Sequence, residues 1–212
     1  MQDKPLSCCD AYERLDFSKA SIPENAIDWT DVNLIITISV IIINNVFWHL
    51  VAQYESRTHK LSIFCNSPHV ACYVFMFIYL AFLHKQEQAF QALLRTQPTW
   101  HFLSKNVTLY IGHSLTGLGV FLVAASFRSL KVPGTFLGPA FGIRGRQESS
   151  TFPFGYPRHI LGAGSVLFHI GLSVVSKCQA GLLIASLLAV AHTLAILIPC
   201  RPAMDDYKKK ED

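Results

Sequence analysis

Charge is scarce in this chain. Only 15% of its 212 residues are Asp, Glu, Lys or Arg, where a soluble domain carries about 25%. The deficit comes from long apolar runs rather than from even mixing, which excludes an ordinary soluble globule and indicates a polytopic membrane protein. Short alternating strands are missing as well. Every strong apolar run is of helix length, so a membrane barrel is excluded. There is no CxxC pair, and Cys8, Cys9, Cys65, Cys72, Cys178 and Cys200 lack the spacing of a zinc site or a disulfide framework. No apolar core lies in the first 31 residues, which hold Asp3, Asp10, Glu13 and Asp16. A cleavable signal peptide is therefore not expected, and the first apolar segment would direct insertion itself. Internal repeats and low-complexity tracts are also absent. The net charge of +4 is modest and spread over loops. It suits contact with anionic headgroups and gives no ground for a nucleic-acid partner.

What is present is a series of spans. Residues 32–52 form the first, long enough at about 1.5 Å per residue to cross the hydrocarbon core. Asn33, Asn44, Asn45 and His49 make its second half expensive in lipid, so it spans or lies partly in the interface. Trp29 and Trp48 near its ends suit an interfacial aromatic belt. The second span covers residues 65–83 and ends at His84-Lys85, with a polar loop following through Lys105. The third covers 107–127, with a start as late as His113 also open, and Arg128 and Lys131 close it. The last covers 181–198. Residues 160–175 are apolar but short and rich in small residues. The predicted fold is all-α: an integral-membrane helical bundle of about four transmembrane helices, with that short segment re-entrant or interfacial. The domain expected is 32–198, between polar tails at 1–31 and 199–212. Orientation divides the signals. Arg128, Lys131, Arg144, Arg146 and Arg158 make the loop after the third span cytoplasmic by the positive-inside tendency. The last four residues, Lys-Lys-Glu-Asp, have the form of a dilysine retrieval signal read on the cytosolic side of the endoplasmic reticulum. Loop and tail share a side only if 160–175 is a fifth span.

Several segments carry possible chemistry. Gly117-Leu118-Gly119 sits inside a span, where glycine lets a neighbouring helix or a flat ligand approach the backbone. His113 lies one turn earlier on the same face. With His169 and His192 it is an intramembrane ionisable group, either functional or a neutral packing residue. Arg158 can hold a phosphate by paired hydrogen bonds, and His159 can act as a general base near neutral pH; the pair can equally be a basic interfacial anchor. In "VPGTFLGPAFGIRG", residues 132–145, Gly134, Gly138 and Gly142 recur every fourth residue, while Pro133 and Pro139 break any spanning helix that would use them. A short interfacial turn or broken helix, its backbone amides toward headgroups, is the expected form.

Three blocks together resemble a family. "NNVFWHLVAQYESRTHKLSIFCNSPHVACY", "TGLGVFLVAASFRSLKVPGTFLGPAFGI" and "TFPFG" are similar, in order and spacing, to the small phosphatidylethanolamine N-methyltransferases of the endoplasmic reticulum. The resemblance runs from about Asn44 to the end. It implies S-adenosylmethionine as co-substrate, with Gly117, Leu118 and Gly119 forming half of its site. It also implies phosphatidylethanolamine and its mono- and dimethyl forms as substrates on the way to phosphatidylcholine, and an endoplasmic reticulum or mitochondrial membrane location. A homo-oligomer is compatible with it. The chain departs from the family pattern at three places of consequence, one of them the family's Asn-Pro-x-Tyr, which reads His159-Ile160-Leu161-Gly162 here. The acid pair that completes the donor site reads Pro199-Cys200, with Asp205 and Asp206 the nearest acids, and the Asp after "GTFLG" is Pro139. A competing reading is therefore an inactive membrane paralogue that keeps the fold and binds lipid or a protein partner.

Overall fold

A computed structural model describes residues 27–100, 105–143 and 157–197. These residues form six helices: α1 (Val32–Thr58), α2 (Lys60–Phe64), α3 (Pro68–Thr96), α4 (Lys105–Thr135), α5 (Pro157–Val175) and α6 (Gln179–Leu197). Four of them are long and apolar enough to cross a membrane: α1, α3, α6 and the 106–131 part of α4. Among the described residues there is no sheet, only an isolated bridge between Thr99 and Cys178. Helices satisfy all their backbone polar groups internally, which is what hydrocarbon demands.

The polar residues of the first span are accommodated by geometry. Asn44 is buried and its Nδ2 donates to Gln86 Oε1 at 2.9 Å. Asn45 Nδ2 donates to its own helix at Ile41 O, and His49 pairs with Gln53 one turn on at 2.8 Å. The outward face keeps Ile35, Ile36, Ile42, Ile43 and Val46 exposed, as a lipid-facing surface requires. α1 is thus one uninterrupted 27-residue helix, and the interfacial alternative is not needed. Trp48 does not sit in an aromatic belt. It is 5% exposed, with edge-to-face contacts to Phe47, Phe75, Tyr79 and Phe82. Trp29, by contrast, is 63% exposed.

α3 runs three turns beyond the expected stop at His84-Lys85. Gln86, Phe90 and Leu93 are buried at helical spacing, so the inward stripe continues although the outer face has turned polar. Phe90 and Leu93 join Leu34, Ile41, Ile184 and Leu188 in the main core between α1, α3 and α6.

α5 and α4 form the closest helix pair. The pairing depends on glycines spaced seven apart on each helix. A Cβ at Gly119 would lie 2.5 Å from Phe168 N and 2.7 Å from Gly164 O; one at Gly171 would lie 2.5 Å from Thr116 N and 2.7 Å from Gly112 O. The backbones approach more closely than any side chain permits. These contacts run antiparallel, so α5 starts beside the end of α4 and finishes beside its beginning. It crosses the bundle without turning back, and at 19 residues it is about 28 Å long.

Two ends result. One gathers residues 27–31, 96–100 and 177–179. There Gln97 Nε2 donates to Asp28 O and Asp31 Oδ2, both at 2.9 Å, and Thr96 Oγ1 donates to Asp31 Oδ2 at 2.5 Å. The other end gathers 57–67, 131–143 and the start of α5. Here Glu55, fully buried, accepts from Leu61 N, Ser62 N and the Ser62 hydroxyl. Its carboxylate satisfies the first amides of α2 and folds that helix back on α1.

Candidate functional site

The glycine-rich stretch after the third span is an ordered turn at the second end. α4 leaves helical geometry at Lys131, with φ 56° and ψ 176°. Gly138 N then donates to Pro133 O at 2.9 Å, and Ile143 N to Gly138 O at 3.0 Å. A Cβ at Gly138 would fall 2.2 Å from Pro133 O, and Gly142 has φ +69°. Both glycines are conformational necessities of this turn. The expected turn in place of a spanning helix is what forms. Its amides, however, are spent internally: those of Gly138, Ala140, Phe141, Gly142 and Ile143 all bond within the turn. Phe141, Leu137 and Ile143 plug onto Ala71, Cys72 and Phe75 of α3.

Thr135 and Phe136 of this segment close one side of a cavity of about 330 Å³ inside the bundle. All five long helices contribute to it. α1 supplies Asn44 and Asn45, α3 supplies Tyr79, Leu83 and Gln86, and α4 supplies Val120, Val123 and Phe127. α5 adds Leu161, Ser165 and Phe168, and α6 adds Leu188 and His192. The wall is mostly apolar, and no Asp, Glu, Lys or Arg is among its lining residues. Two of its lining residues, Asn44 and His192, each also carry a polar atom, Oδ1 and Nε2, that is buried away from solvent without a hydrogen-bond partner.

Gly117, Leu118 and Gly119 are divided by the helix they share. Gly119 is buried against α5, so packing accounts for it. Gly117 has nothing within 4 Å of where a Cβ would stand, and Leu118 is 48% exposed. An open Cα face of this kind fits the approach of a flat ligand to the backbone. Neither Gly117 nor Leu118 lines the cavity; Val120, one turn on from Gly117, does. His113, one turn before Gly117, is exposed on the same side.

Arg158 and His159 occupy the first turn of α5, one turn before Leu161 of the cavity wall; their side chains lie outside the described residues. Cys8, Cys9, Pro199, Cys200, Asp205 and Asp206 also lie outside them. His169 is a packing residue. It is 7% exposed, its Nδ1 donates to Ser165 O at 2.7 Å, its Nε2 is 3.6 Å from Glu87 Oε2, and its ring packs on Phe90. His192 differs, because its ring backs onto Gly162 and the residue lines the cavity.

The sequence reading missed Tyr79 and Gln86 as wall residues. Gln86 fell in a stretch read as loop, and the clue was the helical spacing of Gln86, Phe90 and Leu93. Asn44 had been noted only as a cost in lipid.

Residues 107–209 match the phospholipid methyltransferase family. The chain is 31% identical to phosphatidylethanolamine N-methyltransferase of Mus musculus, over 86% of this chain and 92% of that protein. It is 30% identical to the Homo sapiens enzyme of that name, over 87% and 92%. It is 28% identical to phosphatidyl-N-methylethanolamine N-methyltransferase of Saccharomyces cerevisiae, over 72% and 74%. No solved structure matches significantly. A bundle of membrane-length helices, a cavity beside the "GTFLG" turn and identity of this extent agree: the chain belongs to the phospholipid methyltransferase family.

Proposed function

We propose that this protein methylates the amine of phosphatidylethanolamine and its mono- and dimethyl forms, toward phosphatidylcholine, in the endoplasmic reticulum membrane with S-adenosylmethionine as donor. The observation that carries this reading is the identity to enzymes named for these reactions over 86% of the chain. When bound, the donor supplies an electrophilic methyl on a sulfonium sulfur. The open face at Gly117 and Leu118 would hold it, with Gly119 setting the α4–α5 spacing beneath them.

The amine must give up a proton before it can use its lone pair. His159 is assigned to take that proton and Arg158 to bind the headgroup phosphate. Their position in the first turn of α5, a turn before the cavity wall, supports both roles. Replacing His159 by alanine should lower turnover and shift its pH profile; an unchanged profile removes the base role.

Pro199-Cys200 in place of the family's acid pair favours a second reading, a paralogue that keeps the fold without the chemistry. Transfer of labelled methyl into lipid extract separates the two. Membranes expressing the chain in a host without such activity are supplied with each ethanolamine lipid in turn. Label in lipid supports the enzyme and identifies its step. Folded protein in the membrane with no label supports the paralogue.

A further inference from the structure

The helices around the cavity form an incomplete ring. α4 packs on α5, α5 on α6, α6 on α1 and α1 on α3. α3 and α4, at the two ends of this series, do not pack along each other's length. The turn after α4 links them at the second end. There Leu137, Phe141 and Ile143 sit on α3, and the Phe136 ring centre stands 5.6 Å from that of Tyr79 and 5.8 Å from that of Phe127. Behind this gap lies the cavity, with Tyr79, Leu83 and Gln86 on one lip and Val120, Val123 and Phe127 on the other.

Exposure shows where the cavity opens. On its α1 and α6 walls, Asn44 and Leu188 are buried. On the α4 lip, Val120 is 51% and Phe127 36% exposed, although both line the cavity. A residue that lines a cavity while facing outward lies at its mouth. α3 and the 106–131 part of α4 are long and apolar enough to cross a membrane, so this mouth opens on hydrocarbon. A charged solute pays heavily to pass that way, and an acyl chain does not. The lips hold no Asp, Glu, Lys or Arg. Arg128 follows Phe127 directly and Lys131 lies one turn on, both exposed. The membrane-length part of α4 ends at Lys131, so these cations reach headgroup level, where lipid phosphate is found.

We propose that the gap between α3 and α4 is a lateral entrance through which the phospholipid substrate passes from the bilayer into the cavity. An acyl chain lies between the Tyr79–Leu83 lip and the Val120–Val123 lip, and Arg128 meets the phosphate beside the mouth. Phe136, bridging the two lips, sets the upper edge of the opening. The identity of the lipid rests on the methyltransferase reading. The donor, a cation, takes another route. The lipid side of the reaction is thereby separated from the water side by the fold itself.

The test places a tryptophan at the mouth of the full chain, Phe127→Trp, and a second on the outer face of α1, Ile43→Trp, where the side chain is exposed and lines no part of the cavity. Each signal is read as the difference from the unsubstituted chain. The proteins are held in nanodiscs of an uncharged, phosphate-free galactolipid, and phosphatidylethanolamine with brominated acyl chains is titrated in. Bromine quenches the indole it touches. The mouth probe should reach half its quenching at about a fivefold or more lower lipid fraction than the outer probe. Val120→Phe, which fills the mouth from an exposed position, should remove that difference, and Arg128→Gln should reduce it. If Val120→Phe does not fold, Ala124→Phe, exposed one turn on, takes its place. The same lipid dependence at both probes, or an early response that survives the filled mouth, overturns the entrance. An unchanged titration in Arg128→Gln overturns the phosphate contact. Methyl transfer measured on the same samples keeps the two readings apart. Transfer without the early response defeats the entrance and keeps the enzyme; the early response without transfer keeps the entrance and defeats the enzyme.

Discussion

Gly117 and Gly119 are two residues apart and have opposite fates. Two residues on a helix are about 200° around its axis, so one faces α5 and the other faces away. The consequence is testable. Gly119→Val should destabilise the fold by about 1–3 kcal/mol or more, because its new atoms meet backbone rather than a movable side chain. Gly117→Ala, placed where nothing lies within 4 Å, should leave thermal unfolding in detergent unchanged while weakening donor binding in a titration. Equal loss of stability in both variants would contradict this division. A GxG pattern read along the chain says that a close approach occurs, and both readings of it were open. Which glycine is approached depends on where the neighbouring helix lies, and that is not a local property.

The elements were the most legible level. Each apolar run became a helix, because the hydrocarbon leaves unpaired backbone no alternative. Errors fell at the edges. α3 continues past His84-Lys85 because charges on an outward face end a hydropathy run without ending a helix. The fold also contains a small element that hydropathy did not reveal, α2, held by Glu55. Glu55→Ala removes three hydrogen bonds to a buried carboxylate and should cost about 2–5 kcal/mol, with Glu55→Gln costing less. Chemical or thermal unfolding in micelles gives the comparison. At the opposite end, the hydrogen bond from Thr96, joined by those from Gln97 and Asn33, holds the Asp31 carboxyl below its ordinary value of 3.8. A depressed acid contributes stability above its unfolded pKa and loses it as pH falls through the folded one. The tie between α1 and α3 should thus be intact at neutral pH and weaken only below about pH 4. Asp31→Asn should abolish this acid dependence, read as amide exchange at residues 28–34 against pH. Because Asp31 is only partly buried, the effect on global stability will be small.

For the whole molecule, α5 settles the arrangement that hydropathy divided. Crossing antiparallel to α4, it brings the chain leaving α4 and the chain leaving α6 to one end, opposite the start of α1. The basic loop after α4 and the Lys-Lys-Glu-Asp tail after α6 are therefore expected on the same side of the membrane. Single-cysteine variants in a cysteine-free background should report this. Glu148→Cys and Lys209→Cys should react with an impermeant thiol reagent from one side of sealed vesicles, and Ser18→Cys from the other. Reaction of positions 148 and 209 from opposite sides would return α5 to a re-entrant role. The membrane class, the four long apolar spans and the family blocks could all be read from residue order, because burial in lipid and motif spacing act within one segment. The cavity could not. Its wall draws on α1, α3, α4, α5 and α6, and Asn44 is held in place there by Gln86, 42 positions along the chain. Helices choose partners through backbone contacts between distant glycines, and side chains acquire a direction only once those partners are in place.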